Sequence, residues 1–117
     1  WLGGELGEDG SIYGVPGSAP RVLKVVPQTG AVEMIGPELP GKFKWLRGIN
    51  VAGLIYGVPT NAAHVLRIEP ATGAVDLLGE PLQGCWKWHG GVLSPWDNCV
   101  YAIPCNAESV LKILLDG

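Results

Sequence analysis

An internal repeat constrains the fold of this chain more than any other feature of its sequence. The phrase Lys87-Trp88-His89-Gly90-Gly91-Val92 recurs as Lys44-Trp45-Leu46-Arg47-Gly48-Ile49, and its tail opens the chain as Trp1-Leu2-Gly3-Gly4. Similar short apolar runs follow each tryptophan, at a period of about 43 residues. Such a period indicates a tandem array of one structural unit, in which neighbouring units bury each other's apolar surfaces.

Each unit is predicted to contain four short strands, here called a to d, because β-branched and aromatic runs alternate with Gly and Pro. In the first unit the predicted strands cover residues 2–6, 11–15, 21–26 and 31–35, and in the second the strands behind Trp45 cover 54–58, 64–68 and 74–78. The third unit has runs at 88–93, 99–103 and 109–115, and it stops in a hairpin loop at Asp116-Gly117 without a strand d.

Composition agrees with an all-β fold that has many tight turns. The 117 residues include 18 Gly and 10 Pro, and 47% of the chain is hydrophobic, which is sufficient for a packed core. The net charge of -3 offers no broad attraction for nucleic acid, and no apolar run approaches the roughly 18 residues of a membrane span. A partner that is a nucleic acid is therefore not expected.

Four strands per period of this length are typical of a β-propeller blade, a four-stranded antiparallel meander. We therefore predict blade one at residues 1–44, blade two at 45–87 and a partial blade three at 88–117, which makes about two and three-quarter blades of an incomplete ring. The wording Ile-Tyr-Gly-Val-Pro, Val-Leu-Lys and Pro-x-Thr-Gly resembles quinoprotein-like and YVTN-like propeller repeats over nearly the whole chain. The Trp-x-Gly-Gly phrase is more loosely similar to repeat proteins of algae and other protists. Neither resemblance implies an activity.

Opposite charges mark the predicted strand register. If strands c and d of the first unit form a hairpin, Lys24 faces Glu33, and the same count places Arg67 opposite Asp76 in the second unit. Such a pair contributes only about 0.2–1 kcal/mol, so it serves as a register mark. Lys112 occupies the equivalent position in the third unit and is expected to lack a partner, because strand d is missing.

An incomplete ring predicts association. A blade has apolar residues on both faces, and a ring closes with roughly four to eight blades, so fewer than three blades leave two faces bare. Residues 110–115 would also form an open edge strand. The missing blades could come from a longer chain, from further copies or from a partner protein, and two copies would make a six-bladed ring.

The three cysteines, Cys85, Cys99 and Cys105, form no Cys-x-x-Cys pair and are predicted to be free thiols, which is compatible with a reducing compartment. Only Cys85 and Cys105 fall in loops at the same end of the fold, so theirs is the one disulfide worth considering. The localisation itself stays open.

Candidate partner contacts come from the loops. The d-to-a and b-to-c connections emerge on one rim, and loops on a rigid β scaffold are where binding usually resides. The candidates are Phe43, Lys44, Asn61, Trp86, Lys87, His89, Trp96 and Asn106.

More ordinary interpretations compete with these. Rim lysines are usually solvated, and the asparagines suit Asx-turns. Trp1, Trp45 and Trp88 are expected to pack between blades, whereas Phe43 and Trp86 are expected to face outward. His89 and Arg47 should lie near a central channel.

The residues predict no catalysis. His64 and His89 fall in different parts of the repeat, and no spacing matches a metal site, a nucleophile elbow or a phosphate loop, so no cofactor is expected. The sequence favours a non-catalytic interaction or structural module, a subunit or fragment of a larger assembly. A carbohydrate- or small-ligand-binding propeller is the alternative, and a fragment of a propeller enzyme is the second alternative.

Overall fold

A computed structural model describes residues 1–115 as eleven strands in three antiparallel sheets, with no helix in that range. The first sheet contains β1 (Gly3–Leu6), β2 (Ile12–Val15), β3 (Val22–Val26) and β4 (Ala31–Ile35). The second contains β5 (Trp45–Val51), β6 (Leu54–Pro59), β7 (Val65–Glu69) and β8 (Ala74–Leu78). The third contains β9 (Trp88–Ser94), β10 (Cys99–Pro104) and β11 (Leu111–Ile113).

Each sheet is a meander in which every strand pairs with the next one along the chain. Strands β4 and β8 begin and end where the sequence predicts, because a Thr-Gly turn precedes each and a Gly follows. Strand β11 is shorter than the predicted run at 109–115. The predicted hairpin at Asp116-Gly117 lies outside the described residues.

The predicted register is confirmed, but the ion pairs of two lysines, Lys24 and Lys112, differ from the expectation. Lys24 lies opposite Glu33, and Arg67 lies opposite Asp76 with 3.5 Å between their charged atoms. The ammonium of Lys24, however, lies 3.7 Å from Asp9. Lys112 lies 3.8 Å from Asp97, so the expectation that it lacks a partner is wrong. In the first and third sheets the turn before the second strand supplies the carboxylate.

The three sheets pack face to face in chain order. Between the first and second sheets lie Tyr13, Val15, Val22, Trp45, Ile55, Leu66 and Ile68. Between the second and third lie Val51, Tyr56, Val58, Val65, Trp88, Val100, Ala102 and Ile113. The second sheet is therefore buried on both faces, whereas within residues 1–115 each outer sheet packs on one face only.

The first strands of the sheets approach one another closely, with β5 between β1 and β9. A Cβ atom at Gly3 would lie 2.7 Å from the carbonyl oxygen of Leu46, so only glycine permits this approach. The described chain measures 44 × 33 × 19 Å. None of its residues forms a helix long and apolar enough to cross a membrane.

Candidate interaction surfaces

Two kinds of segment meet on one rim of the molecule. The connecting segments, Gly41–Trp45 and Gly84–Trp88, lead into the first strand of the next sheet. The acceptor loops, residues 17–20, 60–63 and 105–108, follow the proline at the end of each second strand. Because successive turns of a meander alternate between its two ends, these segments share a rim, as the sequence predicts.

A continuous ladder of backbone hydrogen bonds joins the three sheets along this rim. The N–H of Lys44 donates to Gly17 at 3.0 Å, and the Lys44 carbonyl accepts from Thr60 at 2.8 Å. The Thr60 carbonyl accepts from Lys87 at 3.0 Å, and the Lys87 carbonyl accepts from Cys105 at 2.7 Å. Each connecting segment therefore binds the sheet before it and the sheet after it.

Lys44 and Lys87 are buried within this ladder, with 4% and 2% of their surfaces exposed. The Lys44 ammonium donates to Ala19 and Gly41 at 2.9 Å, and that of Lys87 donates to Thr60, Ala62 and Gly84 at 2.7–3.2 Å. Burial lowers the pKa of both lysines. The expectation that they are solvated is wrong, because backbone carbonyls replace water around the charge. Neither ammonium is presented to a partner.

Phe43 and Trp86 form the exposed part of the same segments. Both side chains are more than two-fifths exposed, and their ring centroids are 5.4 Å apart at a tilt of 36°. Each adopts a left-handed backbone conformation, with φ of 47° and 49°. That conformation is rare for bulky residues, and here it precedes a buried lysine at the same repeat position. The two connecting segments thus present an aromatic pair at the rim.

The amide of Asn61 holds neighbouring segments together. Its Oδ1 accepts from the backbone N–H of Trp86 at 2.6 Å, and its Nδ2 donates to the Lys42 carbonyl at 3.3 Å. The amide therefore bonds across to other segments, where an Asx-turn was expected. Asn106 occupies the same repeat position, is exposed, and donates its backbone N–H to the Trp86 carbonyl at 2.9 Å.

The structure does not place all the sequence candidates together. His89 and Arg47 are both exposed, each on the first strand of its sheet. The Arg47 side chain lies against the third sheet, because a Cβ atom at Gly90 would be 3.2 Å from its Cδ. Trp96 is 91% exposed in the turn between β9 and β10. This turn belongs to the opposite rim, so Trp96 is remote from the aromatic pair.

An Asp–Tyr–Lys cluster recurs in the first and third sheets and was not predicted. Asp9 accepts from the Tyr13 hydroxyl at 2.7 Å, and Asp97 accepts from the Tyr101 hydroxyl. Burial and the Asp9 hydrogen bond raise the pKa of Tyr13, and the Tyr101 hydrogen bond lowers the pKa of Asp97. The sequence signal was an aspartate four residues before the tyrosine.

The second sheet lacks this cluster, and its first hairpin is shorter than those of the other two sheets. The two-residue turn Ala52-Gly53 has positive φ at both positions, 51° and 90°, which suits a tight β-hairpin. The residue four positions before Tyr56 is Ala52, which has no carboxylate, and Arg67 pairs with Asp76 on the neighbouring strand. The clusters therefore distinguish the outer sheets from the central one.

Large apolar side chains are exposed on the outer faces of the first and third sheets. Ile12 in the first sheet is 42% exposed, whereas Ile55 at the same repeat position in the second is fully buried. Ile103 in the third sheet is 67% exposed, whereas its equivalent Val58 is fully buried. Other large apolar side chains are exposed on these two sheets: Trp1, Leu6, Val32, Met34, Val92, Val110 and Leu114.

Metal-binding groups and cysteines are the remaining reactive features of the described residues. Within residues 1–115, no three side chains of His, Cys, Asp or Glu are grouped so that they could hold a metal ion. All three cysteines, which lie in that range, are free, and Cys85 and Cys105 are exposed.

No protein-family model matches the sequence, and no curated protein matches it significantly.

Proposed function

We propose that this chain is an arc of a β-propeller and acts as a non-catalytic interaction or structural module within a larger assembly. One observation carries the proposal: apolar positions that are buried in the second sheet are exposed where the same repeat position faces away from it in an outer sheet. Ile12 against Ile55 and Ile103 against Val58 are the matched pairs. The difference lies in the presence of a neighbouring sheet, since the residue types are alike.

Burial of these faces would stabilise an assembly substantially. Each fully buried Val, Leu or Ile side chain contributes roughly 1.5–3 kcal/mol relative to an exposed one. Exposed apolar patches of this kind are typical of protein interaction sites. The open edge at β11, which has no fourth strand beside it within the described residues, adds unpaired backbone groups to the third sheet.

The repeat identifies what fits each face. The outer face of the first sheet carries Ile12, and the equivalent Ile55 lies on the face by which the second sheet packs against the first. The outer face of the third sheet carries Ile103, and the equivalent Val15 lies on the face by which the first sheet packs against the second. The two open faces are therefore complementary to each other, and further sheets of the same repeat fit between them. Two copies of the chain would provide six sheets, which is within the range of propeller rings.

Electron microscopy of the associated chain tests this proposal. We expect ring-shaped particles with a central opening at concentrations where the chain associates. Open filaments or amorphous aggregates without rings would contradict a propeller, because they would show that the two faces do not close a circle.

A carbohydrate-binding module is a second candidate, and the exposed pair Phe43 and Trp86 favours it. The amide of Asn61 is occupied by hydrogen bonds within the chain, so aromatic stacking would have to supply most of the contact. A glycan array on which the chain binds, and on which Trp86→Ala does not, would support this candidate. A blank array would remove it.

A further inference from the structure

The first acceptor loop receives four hydrogen bonds from the chain that leads into the second sheet. These bonds run from Lys44 N to Gly17 O at 3.0 Å, from Phe43 N to Ser18 Oγ at 3.2 Å, from Lys44 Nζ to Ala19 O at 2.9 Å and from Leu39 N to Pro20 O at 2.7 Å. Four successive residues of the loop therefore each supply one acceptor.

The second acceptor loop receives the same four bonds in the same order. They run from Lys87 N to Thr60 O at 3.0 Å, from Trp86 N to Asn61 Oδ1 at 2.6 Å, from Lys87 Nζ to Ala62 O at 2.7 Å and from Leu82 N to Ala63 O at 2.8 Å. The donors in both cases are a leucine, an aromatic residue and a lysine in the spacing Leu-x-x-x-aromatic-Lys. Serine and asparagine are interchangeable as the side-chain acceptor.

The third acceptor loop has the same acceptors without donors. Within residues 1–115, no group donates to the carbonyls of Cys105, Ala107 and Glu108 or to the Asn106 side chain. The other side of the loop is already fixed, because Cys105 and Asn106 donate to Lys87 and Trp86 at 2.7 and 2.9 Å. The matching bonds of the second loop, from Thr60 to Lys44 and from Asn61 to Phe43, measure 2.8 and 3.1 Å.

We propose that residues 105–108 are a preorganised binding site for a Leu-x-x-x-aromatic-Lys segment, whose lysine ammonium lies against the Cys105 and Ala107 carbonyls. This inference rests on the proposed function and specifies its partner: a further sheet of the same repeat, entered through such a segment. Glu108 adds an exposed carboxylate at a position where the occupied loops have Pro20 and Ala63. A cation is thus favoured more strongly here than at either occupied loop.

A peptide from the chain itself provides the probe. The acetylated and amidated peptide Leu-Gln-Gly-Ser-Trp-Lys-Trp copies residues 82–88, with serine in place of Cys85. Titrated into the isotope-labelled chain, it should shift amide NMR signals at residues 105–109. A peptide with norleucine in place of the lysine should bind about tenfold more weakly, because a charged donor is lost from the carbonyls.

Matched variants of Asn106 distinguish peptide binding at this site from nonspecific binding. Asn106→Ala should weaken the peptide about fivefold, whereas Asn106→Ser should retain binding, since Ser18 accepts the same bond at the first loop. No binding, equal binding of the norleucine peptide, or shifts at residues 60–63 or at the aromatic pair would overturn the inference. The peptide adds no sheet, so its failure would leave association through the open faces intact, and light scattering measures that association separately.

Discussion

The central sheet and the two outer sheets are built from nearly the same residues, yet they differ in what covers them. The second sheet has a neighbour on each face, and its side chains Ile55, Val58, Leu66 and Ile68 are fully buried. On the faces of the outer sheets that point away from the second sheet, the matching residues Ile12 and Ile103 are exposed and Leu23 and Val25 are half-buried. A repeat position therefore acquires its burial from its neighbours, since the sequence of one unit cannot bury both of its own faces.

The rim shows the same difference. Two acceptor loops are filled by the segment leading into the following sheet, and the third loop is not filled within the described chain. The stability of each unit is expected to depend on nearest neighbours, as in other repeat proteins. Substitutions at matched positions measure that dependence directly.

Charge on an apolar face should separate the sheets most strongly. Val58→Lys would place an unpaired ammonium between the second and third sheets and should lower the free energy of unfolding by about 5 kcal/mol, enough to unfold the chain. Ile103→Lys, at the same position of the third sheet, should change it by less than about 0.5 kcal/mol. Urea denaturation followed by circular dichroism measures the free energy of unfolding of both variants. Equal losses in the two variants would contradict the difference between the central and outer sheets.

Truncation of one isoleucine gives the next largest contrast. Ile55→Ala should cost about 3 kcal/mol, because a cavity is left between two packed sheets. Ile12→Ala should cost less than about 1 kcal/mol in the monomer, since water already reaches that side chain. A loss at Ile12 as large as at Ile55 would mean that the outer face is covered within a single chain.

Removal of the buried lysine charge tests the rim. Lys87→Met should cost about 2 kcal/mol, because three backbone carbonyls lose a charged donor. The control Lys112→Met removes a lysine that is half exposed beside Asp97 and should cost less than about 0.5 kcal/mol. Similar midpoints for Lys87→Met and the unmodified chain would show that the carbonyls are satisfied by water.

Acid should affect the outer sheets through the Asp–Tyr–Lys clusters, and this is the smallest effect. The folded-state pKa of Asp97 lies below its usual 3.8, so the unfolded chain binds the proton first. The stabilisation is present above pH 3.8 and is lost as the pH falls through the lowered folded pKa. Asp97→Asn should therefore lower Tm by about 2 °C at pH 6 and by less at pH 3, as measured by thermal unfolding. An undiminished difference at pH 3 would contradict this linkage.

The strands were predictable from the sequence because each one is marked locally. The Thr-Gly turns and the Pro at the end of each second strand mark the hairpins, and the facing positions of Lys24 and Glu33 mark their register. Trp45 and Trp88 were expected between neighbouring sheets, and both are buried there. The same expectation for Trp1 is wrong, because Trp1 is 44% exposed on a face that no other sheet of the described residues covers.

The rim was less predictable because its contacts are made by backbone atoms far apart in the sequence. Lysine is rarely buried, so composition favours solvent for Lys44 and Lys87. The carbonyls that bind them follow a proline about 25 residues away, and carbonyls carry no sequence signature. The one available signal was that the Lys-Trp pair recurs unchanged while the residues before it vary, Lys42-Phe43 against Cys85-Trp86.

The mass of the chain in solution tests the central claim, that both outer faces are made to pack against further sheets. Static light scattering over a concentration series should give a mass that rises above the 12.3 kDa of one chain. The double variant Val32→Lys and Ile103→Lys, with one charge on each open face, should remain at the monomer mass. An unmodified chain that stays at 12.3 kDa at every concentration would contradict the account.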